Sequence, residues 1–290
     1  MNSRADYARV FLTFARNSLV RDMTFRLNFL IECASSVTWT AMNLGFYLLI
    51  FQHTEQIGAD TGWGKWEFFA FLATTMIVNS IVQAFFMPNC EDVSELIRTG
   101  GLDFALLKPI DTQFLISLEK VDWSSLANFA AGLILLVVSL SVMTNRVDNP
   151  LTLSPLSVAL YVFYVLCGVA ILYSLMISLS ATSIWLGQNR SLYDFWFYIT
   201  NFSRYPMEIY DGRWGRPLRW AFTYLIPVLV VVNVPAQIIA RPVAPSGSAS
   251  AAASTVWPLA AFALVATAGS LAASRWVFQA ALRNYRSASS

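Results

Sequence analysis

A predominantly apolar run of 25 residues, Leu27 to Phe51, sets the first limit on what this chain can become. As a helix it extends about 37 Å at 1.5 Å per residue, enough to cross a hydrocarbon core of roughly 30 Å with tilt to spare. Further runs of this kind follow at Phe68–Met87, Phe114–Met143, about Leu156–Leu186 and Trp257–Leu282. Backbone at membrane depth has no water to bond, so such runs must close their own hydrogen bonds as helices. Composition agrees: 57% of the residues are hydrophobic and 12% charged, against roughly 25% charged in a soluble domain. The net charge of +2 is too small to indicate nucleic acid as a partner.

The segments between the runs orient them. Residues 4 to 22 place Tyr7, Val10, Phe11 and Phe14 at helical spacing with arginines on other faces, which predicts an interfacial helix within 1–26 on the inner leaflet. Arginines spread over that segment, followed by a run too long for an h-region, do not make a cleavable signal. His53 to Trp66 reads as a polar turn whose Trp63 and Trp66 suit the headgroup level. Thr144 to Pro155 is a second turn. Span four ends at Gly187-Gln188-Asn189-Arg190, and Pro242 to Ser254 reads as a flexible loop of small residues. Between these, Pro206, Pro217, Pro227 and Pro235 break the apolar pieces. A fifth span from Leu192 to about Tyr205 is expected, then a helical hairpin over 206–240 that dips back without crossing, since broken helices need protein or a wet cavity around them.

Lysines and arginines gather before span one, between spans two and three, after span four and after span six, which predicts a multi-pass protein with both termini in the cytoplasm. The five arginines from Arg204 to Arg241 fall on the other side. A fifth crossing at Leu218–Ala240 would place the arginines from 204 to 219 in the cytoplasm, and charge alone leaves that choice open.

The charged stretch Pro88–Thr112, PNCEDVSELIRTGGLDFALLKPIDT, is tied to membrane at both ends. It reads as a short helix capped by Asn89, with Glu91 and Asp92 near its positive end, Arg98 in its last turn, and Gly100-Gly101 as a left-handed stop. Val93, Leu96 and Ile97 share one face, ringed by Glu91, Asp92, Glu95 and Arg98. A second apolar patch, Leu102–Leu107, closes at Lys108-Pro109. Such a hinged pair either lies on lipid headgroups or docks on a soluble partner.

A search for chemistry returns little. The nearest approach to a phosphate loop, Gly62-Trp63-Gly64-Lys65-Trp66, lacks the spacing and the following Ser or Thr. Cys33, Cys90 and Cys167 are far apart and His53 is the only histidine, so neither a disulfide framework nor a metal site is expected. Among carboxylates, Glu32 and Asp194 lie inside spans, where an ionisable group is costly unless paired or wet. A proton path through them is one reading; local pairing, as of Glu119 with Lys120 or Arg26 with Glu32, is the other. Asn79 and Gln83, one turn apart on span two, are candidates for lining a substrate path or bonding a neighbouring helix.

SELIRTGGLDFALLKPID, FLISLEKVDW, FSRYPMEIYDG and TYLIPVLVVVNVPAQIIA, in this order, resemble the ABC-2 family transporter permeases, membrane subunits of bacterial ATP-binding-cassette exporters. The resemblance implies an all-α membrane protein, a single domain over 1–290, with six transmembrane helices and both termini inside. It also implies a cytoplasmic coupling helix within 88–112 between spans two and three, and a re-entrant outer hairpin over 206–240 between spans five and six. A non-catalytic subunit of the bacterial inner membrane follows, with ATP, the only cofactor, on a separate ATPase subunit and with a second permease, copy or homologue, completing the pathway. The ATPase-coupling residues are then Glu91, Asp92, Val93, Glu95, Leu96, Ile97, Arg98, Gly100, Gly101 and Asp103. A proton-coupled transporter using Glu32 or Asp194, and a membrane anchor for a soluble complex, are the alternative functions.

Overall fold

The computed structural model describes residues 6–58, 61–147, 150–186, 197–241 and 250–285. Among them the chain is helical, and the β pairing is an isolated bridge between Gln56 and Gly64. The helices are α1 (Tyr7–Thr24), α2 (Arg26–His53), α3 (Lys65–Phe85), α4 (Met87–Arg98), α5 (Gly101–Leu106), α6 (Thr112–Leu118), α7 (Leu126–Thr144), α8 (Pro155–Leu186), α9 (Arg216–Trp220), α10 (Val228–Ala240) and α11 (Ser250–Arg283). Among the described residues five helices are long and apolar enough to cross a membrane, six if the bent pair Arg216–Leu225 and Val228–Ala240 is taken as one span.

The core forms where α3 packs between α7, α8 and α10. Phe68, Phe69, Phe71 and Trp63 are fully buried at one end of it, and Ile171, Leu172 and Ile177 of α8 are fully buried further along. Small residues permit the closest approaches. A Cβ on Gly168 of α8 would lie 2.7 Å from the Val231 carbonyl oxygen of α10, and one on Gly132 of α7 would lie 3.2 Å from the Ala73 carbonyl oxygen of α3.

Three boundaries differ from the sequence reading. The expected third span, Phe114–Met143, is broken: α6 ends at Leu118, residues 119–125 form a link, and the crossing helix starts only at Leu126. Asp122 is the reason, because its carboxylate accepts from the Ser124 amide at 2.9 Å and from the Ser124 and Ser125 hydroxyls at 2.6 Å each. Such local bonds offer the backbone an alternative to helix. The last helix begins at Ser250, so residues 250–254 are helical rather than loop, while 242–249 lie outside the described residues. Of the expected fifth span, Leu192–Tyr205, residues 192–196 also lie outside them, while residues 197–201 are helical and Phe202–Arg204 form a 3-10 turn.

Candidate functional site

Two short helices carry the segment between α3 and α6. The first, α4, begins earlier than expected, with Pro88 in its first turn and no side-chain cap. Asn89 is not a cap: its amide donates to the Lys120 carbonyl at 2.7 Å and its carbonyl accepts from the Lys120 amide at 2.7 Å, locking α4 to the 119–125 link. Gly100 has φ of +73°, the left-handed conformation that stops α4 and lets α5 turn away.

This geometry divides the expected contact residues. Val93 is 1% exposed, part of the core, and so faces inward and not toward a partner. Ile97 is partly buried against the same core, and Leu96 lies over Gly101. Glu91, Glu95 and Arg98 are exposed, with Arg98 donating to Glu95 at 2.9 Å. Asp92 forms an ion pair with Lys120, and Glu119 lies 4.0 Å from Lys108, so the expected Glu119–Lys120 pairing is replaced by two cross-links between segments. The broad apolar surface is on α5 and just beyond it, where Phe104 is 72% and Leu107 81% exposed, with Leu106 and the partly exposed Asp103 beside them.

α4 is also held to the bundle. Ser180 of α8 donates to the Cys90 carbonyl at 3.0 Å, and Ser94 donates to Ser183 at 3.2 Å. The link after α6 is fastened by the Asp122 amide to the Ala84 carbonyl at 2.8 Å, the Val121 amide to Ser18 at 3.1 Å, and the Trp123 indole to the Ala15 carbonyl at 3.2 Å. One further group, unnoticed in the sequence, joins this region: Arg275, inside the last apolar helix, pairs with Asp111 and donates to Gln113 at 2.9 Å. The Arg275 hydrogen bond holds the Asp111 carboxyl below the usual carboxylate range, against partial burial and with help from the Phe114 amide. An arginine within an apolar run was itself the signal, since such a charge calls for a partner.

At the far end of the bundle the loop before α3 is clamped to the 206–241 segment. Trp63, expected at the headgroups, is instead wholly buried. Its indole donates to Glu208 at 3.0 Å, Gln237 donates to the other Glu208 oxygen at 2.9 Å, and the Arg241 guanidinium lies 4.2 Å above the ring. Burial pushes the Arg241 guanidinium below its ordinary value, and nearby Glu208 and Glu67 oppose that.

Polar groups for a pathway fall into two sets. Asn79 and Gln83 of α3 are half-buried, and among the described residues neither side chain makes a hydrogen bond. On α2, Asn28, Glu32 and Ser35 are exposed along one stripe, the half-buried Asn43 further along it donates to the Trp39 carbonyl at 2.8 Å, and Glu32 accepts from Asn28 at 2.7 Å in place of the expected Arg26. Asp194 lies outside the described residues.

A family profile described as ABC-2 family transporter protein matches residues 37–289. The chain belongs to the ABC-2 family. It is therefore a multi-pass membrane protein and the permease component of an ABC-type transporter, a family whose membrane components are generally non-catalytic and work with an ABC ATPase subunit. Neither the comparison with curated proteins nor that with solved structures gave a match.

Proposed function

We propose that this ABC-2 permease is the membrane half of a bacterial inner-membrane exporter, with its ATPase docked on α4–α5 and a second permease, copy or homologue, completing the path. The observation that carries the docking is the exposed apolar surface of Phe104, Leu106 and Leu107, set at the Gly100 hinge next to the Glu95–Arg98 pair. Glu91, Leu96, Ile97, Gly101 and Asp103 flank it, whereas Val93 and Asp92 serve by fixing α4 to the bundle. Burying such side chains at an interface contributes roughly 1.5–3 kcal/mol each.

The second permease is supported by the stripe on α2, because Asn28, Glu32 and Ser35 facing lipid would be costly, and a wet path or a neighbouring subunit relieves that cost. A re-entrant outer hairpin over 206–240 is supported by the 89° bend between its two helical parts and by the 13 residues of α10, about 20 Å of helix, too short to cross a bilayer. On this reading Arg204 to Arg241 lie outside and both termini in the cytoplasm.

Docking is tested by Leu107→Asp, with Leu96→Asp beside it, in the tagged chain expressed in its own host. Leu107→Asp is expected to leave the chain inserted while the P-loop ATPase that co-purifies falls about tenfold, and Leu96→Asp, partly covered, to give a smaller loss. Undiminished co-purification with Leu107→Asp removes α5 as the docking surface and leaves it as a lipid-surface element.

A further inference from the structure

A cleft of about 460 Å³ opens on the flank of the bundle between α6, α8 and α11, within the size range of small-molecule sites. Most of its wall is apolar, formed by Leu166, Val169 and Ala170 of α8, Leu271 of α11, and Phe86 and Phe114. Leu166 and Leu271 are exposed, so the cleft opens sideways where acyl chains would lie. Its end toward α6 is polar, with Asp111, Gln113, Ser117, Tyr173 and Arg275 gathered there.

An apolar groove on a membrane bundle is ordinarily filled by any lipid tail. The polar end makes this one selective. Arg275 donates to Asp111 at 3.0 Å and to Gln113 at 2.9 Å, Gln113 donates to the Tyr173 hydroxyl at 3.0 Å, and Ser117 lies 2.9 Å from the same hydroxyl. Asp111 is fixed further as the cap of α6, accepting from the Phe114 amide at 3.0 Å. A carboxylate and a guanidinium therefore stand side by side in rigid positions at the mouth of an apolar shaft. Their charges cancel, so the site has no net attraction for an anion, and an anionic headgroup on Arg275 would sit against Asp111. A headgroup that carries both charges answers both. Its phosphate takes the outward side of the guanidinium fork, which has five N–H donors in all. A primary ammonium can donate to the carboxylate, which a quaternary amine, having no N–H, does not do.

We propose that this cleft holds one phospholipid with a phosphoethanolamine headgroup, the phosphate on Arg275, the ammonium on Asp111 and an acyl chain along Leu166, Val169, Ala170 and Leu271. The site is separate from the α5 surface, and its test needs no ATPase.

The test uses the full-length chain in mild detergent, offered an equimolar mixture of phosphatidylethanolamine, phosphatidylglycerol and phosphatidylcholine, with bound lipid read by native mass spectrometry. One phosphatidylethanolamine per chain is expected, preferred about tenfold over the other two. Asp111→Asn keeps the cap acceptor and removes the negative charge, and is expected to move the preference to phosphatidylglycerol. Ala170→Phe fills the shaft while leaving the Asp111–Arg275 pair in place, and is expected to abolish retention of every class. Equal retention of the three lipids by the unaltered chain, or no retention, overturns the proposal. So does unchanged selectivity in folded Asp111→Asn, and so does full retention in Ala170→Phe, which would put the headgroup on the surface without the cleft.

Discussion

α2 and α10 are both apolar helices of one bundle, and their surroundings are opposite. All 13 residues of α10 are buried, whereas of the 28 residues of α2 only Tyr47 is. Polar side chains follow the same division. Within α10, Asn233 accepts from the Met207 amide at 2.9 Å and donates to the Leu229 carbonyl at 2.8 Å, and Gln237 donates to Glu208. On α2, Thr40 reaches Asn128 of α7 at 3.1 Å, while Asn28, Glu32 and Ser35 are exposed. Apolarity thus says that a helix leaves water; the bonding of its polar residues says whether its own chain or something else surrounds it. One helix is enclosed by this chain, and the other lies at its outer surface.

The contrast can be broken most sharply by asking which helix crosses. With Cys33, Cys90 and Cys167 replaced, Glu55→Cys after α2 and Gly212→Cys before α10 should both react with an impermeant thiol reagent added outside, an all-or-none result. A Cβ at Gly212 meets nothing within 4 Å, so the substitution itself is mild. Reaction at Glu55→Cys alone would make α10 part of a full crossing and end the re-entrant reading.

A smaller effect comes from one substitution made on each side of the contrast. Gly168→Ala places a methyl 2.7 Å from the Val231 carbonyl oxygen of α10, a backbone atom that cannot swing away. Overpacking of this kind costs about 1–3 kcal/mol, read as a lower midpoint of thermal unfolding in detergent. Unchanged stability would mean that α8 and α10 are less tightly packed than described.

Gly45→Ala on α2 should show the smallest change and the opposite sign. Nothing lies within 4 Å of its Cβ, so the ordinary helix preference for Ala, about 0.5–1 kcal/mol, is free to appear. Should stability rise while the chain loses its association with a second copy in cross-linking, the neighbour of α2 would be located at Gly45. A large loss of stability in the isolated chain would instead show α2 packed within its own fold.

Much of the fold could be read from the chain itself, for a simple reason. Runs such as Leu27–Phe51 and Leu156–Leu186 are dictated by the bilayer, a constraint that acts on each segment locally, and they lie within α2 (Arg26–His53) and α8 (Pro155–Leu186). What failed depended on partners distant in sequence. The break before Leu126, begun by the local Asp122 bonds, is held in place by Ser18, Ala84 and Asn89, Trp63 is buried because Glu208 and Arg241 come to it, and Asn89 bonds Lys120 instead of capping α4. Val93 carried the same apolar pattern as Leu96 and Ile97, and helical spacing does not tell which edge of a face turns inward. Arg275 was legible in principle as a charge inside a span, but its mate Asp111 lies far earlier in the chain.

The broken third span has a mechanical consequence. A continuous helix from residue 112 to residue 144 would act as one rod, carrying a push at α5 straight up through the membrane. The 119–125 link interrupts that rod and is bolted sideways, to α3 through Ala84, to α4 through Asn89 and Asp92, and to α1 through Ala15 and Ser18. Load applied at α5 would therefore be shared among α1, α3 and α4 at the membrane surface, and would reach α7 through its packing on α3.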